Sequence, residues 1–371
     1  MGSRAPQERT HVVYQHIGHR HSILCAVPPY VLNEAARNGG PEDRESALKT
    51  LSIDNTQRTL RGIRLAAPVD QAIAAGESAL GTLQGGKQRT IHDTHNTEIL
   101  PGSVVRTEGA PATGDRAVDE AYDGLGHTYD YYLDLLGRNS LDGRGGPLHA
   151  VAHFGQNFDN AFWDGRYMVF GDGFLIDHLT ELSVAAHELT HGVTEVEAQL
   201  VYHRQSGALN EHVSDVIGSV VKQYVNGKQD AEKADWLIGE GIWRDDIEGT
   251  ALRSMSNPGS AFDDPLIGKD PQPGHMDDYV RTNDDNGGVH INSGIPNRAF
   301  YLIATRIGGF AGNKAARIWY ETLRDSRLRI RAKFREFALL TYINAWNLFS
   351  GGDEANIVKN AWAEVGVEIS Q

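Results

Sequence analysis

The chain has 371 residues, a formal net charge of −14 at pH 7 and a single cysteine. Its length predicts two or three domains with ample hydrophobic core. The acidic excess and the lack of a long basic run argue against nucleic-acid binding. No apolar stretch approaches the roughly 18 residues that a membrane span requires, and one cysteine allows no intramolecular disulfide.

The amino-terminal region differs in character from the rest of the chain. Residues 1–21 are polar and lack the apolar core of a secretory signal. The expected localisation is therefore either the cytoplasm or, by a non-standard route, outside the cell. Pro28 and Pro29 fix an extended turn, and a helix-like run to Arg37 follows.

Four potential metal ligands occur in this region: His16, His19, His21 and Cys25. Because no packed scaffold surrounds the histidines, we interpret them as part of a disordered tail. For Cys25 we favour a small buried residue. The alternative is a latency switch in which its thiolate reaches an open metal position.

Short apolar strands, with glycine and aromatic residues between them, dominate residues 90–180. One helical run at residues 117–136 interrupts them. From Thr180 the apolar spacing becomes helical. Further helices are predicted at residues 296–307, 313–323, 332–347 and 354–365. The pattern predicts an α+β fold with a β-rich N-terminal lobe, a mainly helical C-terminal lobe and a cleft at their junction.

The most informative motif is His187-Glu188-Leu189-Thr190-His191. Histidines four residues apart lie on one face of a helix, where both can bind one metal ion through neutral imidazole nitrogens. Glu188 is close enough to take a proton from water at that metal. Because H-E-x-x-H also occurs by chance, a third ligand is needed to decide its meaning.

The third ligand is Glu211, 20 residues after His191. That distance allows one helix to end and a second to return to the metal, with a break at Gly207 and Asn210 as the predicted helix N-cap. Two histidines and one glutamate leave a fourth position open for water, as in catalytic zinc sites. Asp215, one turn later, can hydrogen-bond a ligand histidine.

The HELTH and SGALNE segments resemble the thermolysin-like zinc metallopeptidases. Three further segments match that family in the same order: NAFW with MVFGDG from Asn160, LRSMS from Leu252, and DNGGVHINSG from Asp285. The resemblance covers residues 90–371. It implies a neutral zinc endopeptidase with a thermolysin-like fold and one catalytic zinc ion.

The resemblance also implies a role for each matching residue. The implied zinc ligands are His187, His191 and Glu211. Glu188 would be the general base. Zinc, His290 and Tyr202 would stabilise the oxyanion, with Asp285 holding His290. The residues implied to hold the ligand imidazoles are Asp215 and Asn210.

The residues implied to contact a peptide substrate are Asn160, Ala161, Arg253 and Leu252. Asn160 and Ala161 would pair with an extended substrate by strand addition. Arg253 would bind a substrate carbonyl and pair with Asp215. Leu252 would form one wall of an apolar pocket, which implies cleavage before hydrophobic residues.

One part of the family pattern is missing. The double calcium site of thermolysin needs several acids, but Ser183, Lys222 and Leu237 occupy three of those positions, and only Asp235 and Glu240 match. Hard cations need oxygen ligands, and a lysine repels them. We predict that this double site is absent, while Ca²⁺ elsewhere stays open.

Pro28-Pro29-Tyr30 and the charged helical stretch after it resemble the short propeptide of protealysin-like family members. Such a segment would lie across the cleft in cis and keep the precursor latent, and cleavage is expected between residues 45 and 85. The predicted divisions of the chain are a tail and propeptide at 1–75, a β-rich catalytic lobe at 76–185 and an α-helical lobe at 186–371.

Three alternatives stay open. A zinc aminopeptidase shares H-E-x-x-H, but no motif for a free substrate amine is visible. A catalytically silent binding protein on this fold is disfavoured because every implied catalytic residue is present. The precursor could also wait for cleavage by another protease. No motif addresses a proteinaceous inhibitor, so that partner stays unknown.

Overall fold

The computed structural model describes residues 24–66, 86–350 and 352–369. The N-terminal histidines at positions 16, 19 and 21, and part of the expected cleavage window, lie outside these ranges. Within them, no helix is both long and apolar enough to cross a membrane.

Six strands form one mixed sheet. They are β1 Leu24–Cys25, β2 Arg89–Asp93, β3 Ser103–Thr107, β4 Leu148–Ala152, β5 Ala161–Trp163 and β6 Met168–Phe170. Their order is β1-β5-β6-β4-β2-β3. The β2, β4 and β6 strands are parallel, whereas the pairs β1–β5, β5–β6 and β2–β3 are antiparallel. The N-terminal segment therefore supplies an edge strand to a sheet built from much later residues.

The helices of the described residues are α1 Pro29–Asn38, α2 Pro41–Ala66, α3 Arg116–Leu136, α4 Leu182–Glu197, α5 Arg204–Val225, α6 Asp285–Asn292, α7 Gly294–Ile307, α8 Ala315–Arg324, α9 Phe334–Leu348 and α10 Asp353–Glu364. The helix at 117–136 and the four predicted after residue 296 agree with α3 and α7–α10 within three residues at either end. Pro29 is the first residue of α1. A backbone N–H at this position would have no partner within the helix, so proline is tolerated there.

The expected α+β architecture is confirmed, although residues 226–284 interrupt the helical lobe. Two short ribbons lie there, β7 Leu237–Ile238 with β8 Arg253–Ser254, and β9 Asp263–Asp264 with β10 Gly268–Lys269. A single 3₁₀ turn follows at Met276–Asp278. The helical pattern predicted from Thr180 onward is wrong for this stretch, which is rich in glycine, proline and aspartate.

The predicted start of the second zinc helix is also wrong. Helix α5 begins at Arg204, so Asn210 lies inside the helix and does not cap it. Gly207 is helical too. A Cβ atom at Gly207 would lie 2.5 Å from Val289 Cγ1, so the missing side chain permits close packing of α5 against α6.

Helix α4 lies in the core, with residues 183–194 all buried. Small side chains permit this close packing. A Cβ atom at Gly192 would lie 2.5 Å from Leu141 Cδ1, and one at Gly124 of α3 would lie 2.8 Å from Ala185 Cβ. The imidazoles of His187 and His191 are consequently fully desolvated.

Lys222 of α5 lies between the two carboxylates that match the thermolysin calcium pattern. Its Nζ is 2.9 Å from Asp235 Oδ2 and 2.6 Å from Glu240 Oε2. Ser183, at another of those positions, donates a hydrogen bond to Glu181. An ammonium group thus supplies positive charge where a calcium site would need further oxygen ligands.

We expect the wild-type protein to bind no calcium pair at this position in a calorimetric titration. A Lys222→Glu variant should gain calcium affinity, because a third carboxylate then joins Asp235 and Glu240. Calcium at ten times its Kd would stabilise that variant against unfolding by about 1.4 kcal/mol. Lys233→Glu, at an exposed lysine without an ion pair to the described residues, is the matched control. Tight two-ion binding by the wild type would contradict this prediction.

Candidate active site

Helix α4 places two imidazoles beside a carboxylate of α5. The rings of His187 and His191 are perpendicular, with centroids 4.5 Å apart. Glu211 reaches both, with Oε2 at 3.4 Å from His187 Nε2 and Oε1 at 3.4 Å from His191 Nε2. Ligands about 2.0–2.1 Å from a tetrahedral zinc ion are separated by about 3.4 Å. These spacings therefore fit a metal ion.

The same atoms have unmet bonding capacity. Within the described structure, His187 Nε2, His191 Nε2 and Glu211 Oε2 are buried and have no hydrogen-bond partner. Buried polar atoms without partners are costly, and a cation at their centre would satisfy all three. The donor set of two imidazoles and one carboxylate suits zinc.

Glu188 lies beside this cluster without belonging to the triangle. A ligand atom from each of His187, Glu188 and His191 falls within a group no wider than 4.8 Å. Both Glu188 oxygens are buried and lack a hydrogen-bond partner among the described residues. Burial raises the pKa of Glu188 to about 8. Its carboxylate is therefore available to exchange a proton.

Side chains of α5 orient both imidazoles. Asp215 Oδ1 is 2.9 Å from His187 Nδ1, and Asn210 Oδ1 is 2.9 Å from His191 Nδ1. Because these oxygens only accept, each Nδ1 carries the proton and each Nε2 presents its lone pair to the site. Because Asn210 lies within α5, its side chain reaches His191 Nδ1 directly.

Asp215 connects the imidazole to a wider buried network. Arg253 donates to both of its carboxylate oxygens at 2.9–3.1 Å, and Asn297 Nδ2 donates to Oδ2 at 2.9 Å. Burial acts to raise the pKa of Asp215, but the charges of Arg253 and His187 outweigh burial and hold it well below its usual range. Asn297 could not be predicted from the sequence, because it belongs to no metal or catalytic motif.

His290 is held as a hydrogen-bond donor. Its Nδ1 is 2.6 Å from Asp285 Oδ1, and its backbone N–H donates to Oδ2 at 2.8 Å. A left-handed turn at residues 286–288 brings Asp285 back towards the ring. The hydroxyl of Tyr202 lies 3.1 Å from His290 Nε2 and donates to Glu211. His290, which Asp285 holds, and Tyr202 thus lie beside Glu211.

The N-terminal segment lies in the cleft as an added strand. Strand β1 pairs antiparallel with β5. Beyond it, the N–H of Ala26 donates to Ala161 O at 3.0 Å, and the N–H of Val27 donates to Asn160 Oδ1 at 2.9 Å. The edge-strand residues expected to pair with a substrate therefore pair here with the chain itself.

Two consecutive carbonyls of this segment receive hydrogen bonds from predicted site residues. His290 Nε2 donates to Cys25 O at 2.8 Å, and Arg253 Nη1 donates to Ala26 O at 2.8 Å. Since both ring nitrogens of His290 face acceptors, the ring is a cation. Burial acts to lower its pKa, but the Asp285 and Glu211 charges outweigh burial and raise the pKa well above its usual value.

Helix α2 attaches the segment to the catalytic part of the chain. Asn160 Nδ2 donates to Asp54 Oδ2 at 3.1 Å. Arg61 donates to Trp163 O at 2.7 Å and to Glu195 Oε2 at 3.0 Å. Asp54 and Arg61 could not be predicted from the sequence, because their partners are more than 100 residues away along the chain.

Two further predictions concern buried residues. Cys25 is fully buried, and burial raises the pKa of its thiol, which favours the interpretation as a packed small residue. Leu252 is fully buried next to Arg253, and its N–H donates to Ile238 O at 2.9 Å. Its contribution to an apolar pocket stays a prediction.

Comparisons with known proteins agree with this geometry. The family model described as thermolysin metallopeptidase, catalytic domain, matches residues 77–195, and the model described as thermolysin metallopeptidase, alpha-helical domain, matches residues 198–367. An extracellular metalloprotease of Pectobacterium carotovorum subsp. carotovorum is 49% identical over 94% of this chain and 98% of its own length. Protease PrtS of a Photorhabdus species is 43% identical over 93% and 92%.

Among solved structures, the precursor of protealysin, a metalloproteinase from Serratia proteamaculans, superimposes with a TM-score of 0.82. It is 47% identical, and the match covers 93% of this chain and 99% of that one. Members of this family are zinc metalloproteases. On the strength of both family models and these near full-length relatives, the chain belongs to the thermolysin metallopeptidase family and is a metalloendopeptidase with a protealysin-like precursor organisation.

Proposed function

We propose that the chain is the precursor of a neutral zinc endopeptidase whose own N-terminal segment covers the active site. The observation that carries this proposal is the triangle of His187 Nε2, His191 Nε2 and Glu211, with both nitrogen–oxygen distances at 3.4 Å. Because these three residues leave a fourth tetrahedral position open, the triangle suits a catalytic zinc ion.

The zinc ion would be held by His187, His191 and Glu211. When bound, it supplies a Lewis acid that polarises the peptide carbonyl and acidifies water. Glu188 accepts the proton of the attacking water and later passes it to the leaving amine. Its two unpartnered carboxylate oxygens support this role.

His290 and Tyr202 would donate hydrogen bonds to the oxyanion that forms at the attacked carbonyl. The contact between His290 Nε2 and Cys25 O supports this role, because this nitrogen already donates a hydrogen bond to a peptide carbonyl. Arg253 would bind the next carbonyl, as it binds Ala26 O. We propose cleavage before hydrophobic residues, with Leu252 as one wall of the pocket.

The covered cleft favours an endopeptidase over an aminopeptidase. Leu24 and Cys25 pair with β5 on one side of the carbonyl bound by His290, and Val27 pairs on the other. Because the bound segment continues on both sides of this carbonyl, binding in the cleft does not require a substrate with a free N-terminal amine. A catalytically silent protein is disfavoured because the base, the donors and the ligand set lie together.

We further propose that the described residues up to 66 act as a propeptide in cis. Ser46 and Asp54 are buried on α2, as is Arg61, which pairs with Glu195 of α4. A cut within this helix would require it to unfold and leave those contacts. We therefore place the maturation cut after Ala66, the last residue of α2, within the window of residues 45–85.

The proposed catalytic roles are tested by Glu188→Gln and His290→Ala, after added wild-type peptidase has cut off their propeptides and has itself been removed. The first should keep stoichiometric zinc but lower kcat at least about 10²-fold, because no base remains. The second should lower kcat about 10²-fold with intact folding, because an oxyanion donor is lost. Peptide hydrolysis, zinc content and circular dichroism are the measurements. Near wild-type turnover by Glu188→Gln would refute the base assignment.

The zinc assignment is tested through a residue that does not touch the metal. Asn210→Ala removes the acceptor that orients His191, so zinc affinity should fall about 10–100-fold in a chelator competition. Gln223→Ala is the control, since that buried amide of the same helix donates to Ser219 Oγ instead. Equal affinity of both variants would contradict the proposed orientation of His191.

Propeptide docking should depend on pH through Asp54. Burial raises its pKa from 3.8 to about 6, although Arg58, Asn160 and His290 oppose the rise. The docked state of the segment is therefore more stable when Asp54 is protonated than when it is ionised. Docking is strongest below about pH 4 and weakens, by up to about 3 kcal/mol, as pH rises to about 6. Asp54→Asn should remove this dependence.

The measurement is hydrogen-exchange protection of α2 in a Glu188→Gln precursor, which cannot cleave its own propeptide. Protection corrected for intrinsic exchange should fall between pH 4 and pH 6, and Asp54→Asn should keep it constant. Glu45→Gln removes an exposed carboxylate of the same helix and should behave as the wild type. The same pH dependence in Asp54→Asn would show that another group causes it.

A further inference from the structure

A groove of about 810 Å³ opens beside the proposed catalytic residues. Four permanent cations and one carboxylate line it: Arg204, Arg281, Arg331, Lys333 and Asp277. Asp278 and Asp284 neighbour it along the chain, but neither lines it. We call this surface the basic groove.

The cations of the basic groove have no acidic partner among the described residues. All four are exposed, and none forms an ion pair with a carboxylate of the described residues. In a chain with a net charge of −14, several exposed arginines elsewhere, such as Arg116 and Arg327, do have a carboxylate partner. Unpaired cations gathered in a concave surface raise the local concentration of anionic groups.

The basic groove adjoins one side of the cleft. His203, which follows Tyr202, and Gly287, three residues before His290, both line it. The Tyr202 hydroxyl lies 3.1 Å from His290 Nε2, and that nitrogen donates to the Cys25 carbonyl. Arg253 and Asn160 do not line the groove. These two residues contact Ala26 and Val27, which follow Cys25 in the segment. It therefore lies beside the part of a substrate that precedes the cleaved bond.

We propose that the basic groove binds aspartate or glutamate side chains on the N-terminal side of the cleaved bond and so directs the peptidase to acidic segments. This inference rests on the proposed peptidase function. Guanidinium groups suit the task because they bind a carboxylate through two parallel hydrogen bonds and stay charged at all relevant pH values.

The test uses enzyme matured from the full chain and three peptides with the same residues at the cut. One carries two aspartates at the third and fourth positions before the cut, the second carries asparagines there, and the third carries the aspartates at the same distance after the cut. At low salt, kcat/KM should be about tenfold higher for the first peptide than for the second. High salt should remove the difference.

The variant Arg281→Glu/Arg331→Glu should abolish or invert the ratio of kcat/KM between the first two peptides. Using the ratio within each enzyme cancels changes in overall rate, and circular dichroism monitors folding. Arg317→Glu is the matched control, at an exposed arginine of α8 that does not line the groove. It should keep the wild-type ratio.

Three results would overturn the groove proposal alone, and the first two are an unchanged ratio in the double variant and acidic preference for the third peptide. A wild-type enzyme that cleaves the asparagine peptide but shows no acidic preference would also overturn it and leave the peptidase function intact. Failure to cleave any of the three peptides would count against the proposed function itself.

Discussion

The buried carboxylate of Asp215 is the interaction on which the site depends. It accepts hydrogen bonds from His187 of α4, Arg253 of β8 and Asn297 of α7, and it lies on α5. A single buried charge without such partners would be prohibitively costly, so these four elements must come together for the core to be stable. The same contacts fix the tautomer of one imidazole and the direction of the arginine that binds Ala26 O.

Strand addition explains how one surface can serve a substrate and the precursor's own segment. The edge of β5 presents unpaired backbone groups, which any extended chain can satisfy. Residues 24–27 satisfy them here, and α2 adds buried side-chain contacts at Asp54 and Arg61. Covering the cleft also shields the desolvated ligand cluster from water, which links latency to stability of the precursor.

Local patterns predicted much of the architecture. Helical spacing located α3 and α7–α10, and the four-residue separation of His187 and His191 required a shared helix face. The start of α5 was mispredicted because Gly207 reads locally as a break, whereas it serves close packing against Val289. No local pattern could pair Arg61 with Glu195, since 134 residues separate them and the contact exists only once the sheet has formed.

The sequence by itself determined the residue types of the site, the order of the matching segments and the replacement of calcium-binding acids by Lys222. These are properties of identity and short-range spacing, which the helix repeat converts directly into geometry. Only the tertiary structure decided that Glu211 lies 3.4 Å from both imidazoles, that Cys25 O lies at His290, and that four cations without an ion pair to the described residues share one groove. Those distances join distant segments, and packing of whole elements sets them.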